Sequence, residues 1–243
     1  MRVRLMTWNI HRAIGVDRRF RPERVAAVIQ HHQPDVLLLQ EVDRFVPRSG
    51  RLHLAEFLAE ACGYPYHSWA QAHVLAEGSY GNATLSRFPI RRRRHFDLTL
   101  NGRKQRGCLY TVLDPPGPVR DLYLFNMHLG LGSAERAEQM RRFLSFDVIR
   151  HLPASARIIV AGDTNDWRNR LYHYGGLAKA GFRTWGGHGR RQSHLTFPSL
   201  APITALDKFF WRGPLGEPHV HISRLRATRV ASDHLPLLAE FDL

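Results

Sequence analysis

The chain is poor in cysteine, in lysine and in long apolar runs. Its 243 residues include two cysteines, Cys62 and Cys108. That is too few for the disulfide framework that staples small secreted domains. No apolar run approaches the roughly 20 residues of a membrane-crossing helix; Val36 to Leu39 is typical of those present. The first residues, MRVRLMTWNIH, alternate as a strand does. They lack the apolar block and small-residue site of a cleaved leader. The expectation is a reduced, cytoplasmic protein, with an anionic membrane surface as an alternative location. Lys104, Lys179 and Lys208 are the only lysines among 35 basic residues; the other 32 are arginine. Against 21 acidic residues they leave a formal net charge of +14. Hydrophobic residues make up 44%, a globular fraction that excludes disordered and collagen-like classes.

Periodicity sketches the elements. Residues 3–10 alternate as a strand, and 21–32 place Val25, Val28 and Ile29 on one helical face. Pro34 ends that helix. DVLLLQEV (35–42) follows as an apolar strand buried on both faces. Residues 51–62 form a second helix closed by Gly63. Residues 80–90, 108–114 and 121–129 have strand patterns. A long helix is expected over 134–152, with Ser133 as its N-cap. ARIIVAGD (156–163) is a second buried strand. A broken helix over 169–181 and strands over 203–211, 219–223 and 235–243 complete the chain. Nothing resembling a linker divides it, so residues 1–243 are expected to form one domain. Two stretches echo each other: 21–41 and 134–163 each run helix, loop, apolar strand, carboxylate. Such strand ends would bring Glu41 and Asp163 to one rim.

The same irregularity recurs along the chain. An apolar strand ends in an acid, an amide or an imidazole: Asn9, Glu41, Asn82, His128, Asp163, Asn165, Asp207, Asp233 and His234. Burying an unpaired carboxylate costs several kcal/mol, so these groups are expected to be paired or metal-bound. Each alone has a structural reading, such as turn chemistry at Asn82 or an Asx-turn at Asp163 and Asn165. Their recurrence argues for a shared site.

The segments TWNIH (7–11), LQE (39–41), YGNATLSRFPI (80–90), MHLG (127–130), GDTND (162–166), LDKFF (206–210) and SDHLP (232–236) occur in this order. Together they resemble the endonuclease/exonuclease/phosphatase superfamily of metal-dependent phosphoesterases. The resemblance implies a four-layer α/β sandwich of two packed mixed β-sheets with helices outside. It implies a Mg2+ site at Asn9 and Glu41, with Asp233 close by and Mn2+ a possible substitute. It implies that Asp163 and Asn165 orient water and contact phosphate. His128 would stabilise the phosphoryl transition state, and Asp207 and His234 would form a carboxylate–imidazole dyad. Asn82 and Arg106 are the expected substrate contacts.

The chemistry independently suits these residue types. Mg2+ prefers hard oxygen ligands and is commonly held by one or two carboxylates. Attacking water needs a base, for which Asp163 and His234 are both candidates. Pairing with Asp207 would favour the cationic form of His234, which suits a clamp or acid better than a base.

Three positions depart from the commonest family pattern. Thr164 separates the Asp–Asn pair and is expected to point away from the metal. Lys208 and Phe209 follow Asp207, Lys208 being read as a solvated neighbour, with a shift of the dyad or a substrate contact as alternatives. His128 is the deoxyribonuclease- and sphingomyelinase-like choice, which disfavours abasic-site repair.

Other residues have simpler readings. Arg91–Arg94 read first as a solvated turn, with nucleic-acid or lipid contact as the alternative. Arg106 is suited to forking onto phosphate oxygens. His219 and His221 read as an edge-strand surface and Trp69, Trp185 and Trp211 as core or rim. The leading expectation is a Mg2+-dependent phosphoesterase. Nucleic acid, DNA or RNA, is the favoured substrate and no obligate protein partner is expected. Phospholipid and small phosphoesters are alternative substrates. A catalytically silent nucleic-acid or lipid binder and a zinc hydrolase are the competing classes.

Overall fold

The computed structural model describes residues 1–117, 121–185 and 194–243. Its strands and helices follow in chain order: β1 (Arg2–Asn9), α1 (Pro22–His32), β2 (Val36–Arg44), α2 (Leu54–Cys62), β3 (Tyr66–Val74), β4 (Ser79–Ser86), β5 (Ile90–Asp97), β6 (Gly107–Leu113) and β7 (Leu122–His128). After these come α3 (Ser133–Ser145), α4 (Asp147–His151), β8 (Arg157–Asp163), α5 (Leu171–Tyr174), β9 (Arg183–Thr184), β10 (Asp207–Arg212), β11 (His219–Ile222), α6 (Arg226–Ala231) and β12 (Leu237–Asp242).

They form two six-stranded mixed sheets, ordered β11-β12-β1-β2-β4-β3 and β5-β6-β7-β8-β10-β9. Each sheet contains one parallel pair, β1 with β2 and β7 with β8. A helical crossover links each pair, as parallel neighbours require. The echo between the two halves of the sequence is therefore an architectural one.

Three apolar layers hold the stack. Val3, Leu5, Leu38, Leu124, Ile159 and Phe241 fill the space between the sheets. Met6, Trp8, Leu37, Val25 and Leu58 pack the first sheet against α1 and α2. Phe125, Met127, Ile158, Phe210 and Phe143 pack the second sheet against its helices. Central strands are apolar on both faces because each face meets one of these layers. Each fully buried Leu or Phe contributes about 1.5–3 kcal/mol. The result is the four-layer α/β sandwich.

A polar seam crosses between the sheets just below the rim where β7 and β8 end. Gln40 Nε2 donates to Asn126 Oδ1 at 2.8 Å. Asn126 Nδ2 donates to the carbonyls of Leu39 and Ala83 at 3.0 and 2.9 Å. A paired polar seam of this kind fixes how two sheets sit on one another.

Several element expectations are corrected. The long helix breaks at Phe146, which takes an extended conformation and packs in the outer core. Its N-cap is Gly132, whose N–H donates to Glu135 at 3.4 Å; Ser133 is already helical. The segment 169–181 contains only the single turn α5 before Gly175 and Gly176. The 203–211 strand starts at Asp207. Arg91–Arg94 are not a turn: they lie within β5 at the edge of the second sheet. The second helix starts at Leu54, where His53 Nδ1 caps it by accepting from Glu56 N–H at 3.3 Å.

Candidate active site

Asp163 ends β8 and is the hub of the cleft. Gly162 precedes it with φ at 140°. A Cβ there would meet the Met127 carbonyl at 1.9 Å, so only glycine lets β8 approach β7 this closely. Asp163 Oδ1 accepts from Asn165 N–H at 2.9 Å, the Asx-turn that the sequence suggests. Its Oδ2 accepts from Asn9 Nδ2 at 3.0 Å. The same oxygen lies 3.4 Å from His128 Nε2 and 3.7 Å from His234 Nε2. Asn9 and His234 reach it from the first sheet's side, His128 from the second sheet. Asn165, in a left-handed conformation at φ 49°, donates from Nδ2 to the Leu129 carbonyl at 2.9 Å.

His234 is fixed on every side. Its Nδ1 lies 2.9 Å from Asp207 Oδ2. Its N–H donates to Ser232 Oγ at 3.1 Å, and Trp8 Nε1 donates to its carbonyl at 2.9 Å. Burial opposes a charge on the ring. Asp207, Asp163, the hydrogen bond from the ring to Asp207, and Asp233 outweigh it, and the pKa is pushed up to about 10. His234 is thus an imidazolium at neutral pH.

His128 is driven the opposite way, well below the ordinary range, by burial and by the cations Arg106, His234 and Lys104. It is a neutral ring. Asp163 is pushed up to about 6, by burial first. His234 pulls it down, Asp207 pushes it up, and hydrogen bonds from Asn165 and Asn9 pull it down. Three neighbouring groups therefore differ in charge because their surroundings differ.

Glu41 does not end its strand. It sits at a β-bulge where the register with β4 shifts between Leu39 and Val42, with φ at 54°. A bulge re-aims a side chain, and Glu41 Oε2 lies 3.4 Å from Arg12 Nε. Arg12 was not foreseen in the sequence. It belongs to a left-handed turn in which His11, Arg12 and Ala13 have φ of 45°, 62° and 57°. Left-handed non-glycine residues cost roughly 1–2 kcal/mol each. Here they carry Arg12 to Glu41 and bring His11 Nδ1 to 4.0 Å from Asp233 Oδ1. Asp233 faces the opening with its side chain 35% exposed.

Asn82 is buried in the seam, and its Nδ2 donates to the carbonyls of Gly107 and Asn126, both at 3.0 Å. Its amide donor thus serves the scaffold. Arg106 is buried and its Nε has no hydrogen-bond partner. Lys208 is not a solvated neighbour. It is buried, and Nζ donates to the Ala205 carbonyl at 2.5 Å. Burial pulls its pKa down to about 8, against the pull of Asp166, Asp207 and Asp163. Thr164 Oγ1 donates to the Leu206 carbonyl at 2.8 Å.

His219 and His221 lie on the edge strand β11 with ring centroids 5.5 Å apart. Trp211 is core, and Trp69 and Trp185 are partly buried at its margins.

The donors expected at a metal are hard oxygens, from two carboxylates and an amide. Among the described residues no three His, Cys, Asp or Glu side chains are placed to hold a metal ion between them. A Mg2+ ion held by one or two carboxylates and water does not require three. The donor chemistry therefore fits Mg2+ and offers no thiolate to zinc.

A two-sheet sandwich with paired carboxylates and imidazoles at its strand ends defines a phosphoesterase-type scaffold. The chain belongs to the Endonuclease/Exonuclease/phosphatase family, whose model matches residues 6–234. It is similar to YbhP, an uncharacterized protein of Escherichia coli K12, at 31% identity over 99% of this chain and 96% of YbhP. The crystal structure of an endonuclease/exonuclease/phosphatase from Beutenbergia cavernae matches with a TM-score of 0.78 and 25% identity. That match covers 100% of this chain and 72% of the other. TDP2 of D. rerio, solved with a single-strand DNA product, shares the fold at a TM-score of 0.73 and 20% identity. There the match covers 100% of this chain and 99% of TDP2.

Proposed function

We propose that the protein hydrolyses phosphoester bonds with Mg2+, nucleic acid being the favoured substrate. The observation that carries this reading is His234, whose Nδ1 lies 2.9 Å from Asp207 Oδ2 and whose Nε2 lies 3.7 Å from Asp163 Oδ2, the same oxygen that His128 Nε2 approaches to 3.4 Å.

The roles follow from charge state. An imidazolium has no lone pair for a proton, so Asp163 is the base. The water oxygen bonds to phosphorus as the ester oxygen departs, and the water's proton passes to Asp163. His234 donates a hydrogen bond to the phosphoryl oxygens as negative charge grows there, and Asp207 keeps its ring oriented. His128 and Asn165 position the phosphate, and the unpartnered Arg106 Nε supplies a further donor. Mg2+ held by Glu41, with Asn9 and Asp233 close by, would polarise the phosphoryl group and offset its charge.

Nucleic acid is favoured by the net charge of +14, since arginine-rich surfaces attract polyanions. TDP2, similar in fold, was solved with a single-strand DNA product. No helix among the described residues is long and apolar enough to cross a membrane.

The test is a substrate panel with Mg2+, Mn2+ or EDTA: plasmid, single-stranded DNA, RNA, phospholipid, inositol phosphate and bis-p-nitrophenyl phosphate. Turnover of at least one that disappears in H234A supports the reading. Unchanged turnover in H234A and E41Q overturns the site, and no turnover of any substrate favours a silent binder.

A further inference from the structure

We infer that a groove along one side of the sandwich binds the single-stranded arm of a nucleic-acid substrate. This inference deepens the reading above and rests on it.

The groove lies where the free edge of the first sheet, β3, meets the free edge of the second, β5. Its upper part has a volume of about 880 Å3, and a second hollow of about 350 Å3 continues it past His67 and Arg93 toward Tyr66. The strand directions fix where it leads. Gln105 lines the upper end, and its Oε1 accepts from Val74 N–H at 2.9 Å, tying β3 to the loop before β6. The next residue is Arg106, in the catalytic cleft. The groove thus begins beside the reacting centre and runs down β5, whose eight residues span about 26 Å. That length suits several nucleotides, as in grooves that track single strands.

Its lining matches the chemistry of such a strand. Arg44 and Arg93 supply positive charge, with His67 and Trp69 in the same wall; Arg94, next along β5, turns its guanidinium to the other face, 4.8 Å over the Phe96 ring. Asp97 is the one acidic residue of the lining, and its Oδ1 is engaged by Thr99 N–H at 2.8 Å. Arginines on an edge strand also discourage sheet-to-sheet pairing. That role explains exposed charge but not a concave channel that leads toward the site. A lipid bilayer is flat and would not enter a concave channel between two sheet edges.

The test is fluorescence anisotropy of a labelled 12-nucleotide single strand and a 3-nucleotide strand, in EDTA so that no turnover is needed. R93A is expected to raise the Kd for the 12-mer severalfold. It should lower the slope of log K against log salt by about 0.7, the value for one lost phosphate contact on a single strand. The 3-mer should keep its wild-type Kd, and R93K should restore most of the 12-mer affinity. Melting temperature monitors folding, and R93Q replaces R93A if that variant unfolds.

An unchanged 12-mer Kd overturns the inference. So does an equal loss for both strands, or a loss confined to phosphatidylglycerol vesicles. The two readings separate cleanly. A protein inactive on every phosphoester that still shows the length-dependent loss keeps the groove and loses the enzyme. An active enzyme whose 12-mer binding ignores Arg93 does the reverse.

Discussion

Asn9 and Asp163 lie 154 positions apart and meet through a 3.0 Å bond from Nδ2 to Oδ2 that crosses from one sheet to the other. Replacing Asn9 by Ala removes a donor from a buried carboxylate. The expected cost is about 1.5–3 kcal/mol, read as a lower urea midpoint with unchanged m-value, and turnover should fall with it. An Asn9→Ala protein as stable as the wild type would show that the bond does not hold the sheets in register.

The Asp207–His234 pair should behave as one unit. His234→Gln is expected to lower kcat by roughly 10²–10³-fold, the usual worth of a hydrogen-bond donor aimed at transition-state charge. Asp207→Asn should lower it by less, and the double variant should be little worse than His234→Gln alone. Steady-state kinetics on bis-p-nitrophenyl phosphate decides this. Fully additive losses would mean that the two act separately.

Chelation should abolish turnover and Mg2+ should restore it. In Glu41→Gln a neutral amide replaces one of very few carboxylate ligands. The Mg2+ concentration for half-maximal activity should rise roughly tenfold or more. A titration coinciding with that of the wild type would remove Glu41 from the metal site.

His32 makes stability depend on pH. Its Nε2 lies 2.7 Å from Ser223 Oγ, joining the end of α1 to the segment after β11. Burial, then the cations His31, His221 and Arg4, pull its pKa from 6.5 down to about 4. The unfolded chain therefore binds more protons over that interval. Its contribution is complete above pH 6.5 and is lost as pH falls toward about 4. Because the ring is half-exposed, the loss is only about 1 kcal/mol. Melting temperatures from pH 4 to 7 should fall less steeply with acid in His32→Gln than in the wild type.

Much of this was visible in the residues themselves. Strands β2, β7 and β8 announce themselves because burial on both faces demands continuous apolar residues, and β1 by its alternation. Polar groups at their ends stand out against that apolar background. The edge strands β3 and β5 give no such signal. β3 alternates small, aromatic and polar residues, and β5 carries four arginines, because an edge packs on few neighbours and tolerates charge. Arg12 was illegible for a different reason: its approach to Glu41 depends on a left-handed turn made without glycine. Lys208 looked solvated because charge usually is. Only the fold shows Asp166, Asp207 and Asp163 surrounding it. Gln40 and Asn126, amides inside apolar strands, were readable signals that a polar seam existed.

The pairing of β1 with β12, Arg2 opposite Asp242 and Thr7 opposite Leu237, bears on how the protein comes into being. The earliest strand in the sequence, a central one, has the latest as its partner. Until β12 arrives, one edge of β1 is unsatisfied and the layer containing Val3 and Phe241 is open. Contacts this distant in sequence slow folding and prolong the exposure of sticky surface. His234 lies three residues before β12, so the same late event delivers it to Asp163. Refolding followed by tryptophan fluorescence and by activity should show any activity emerging only with that last strand.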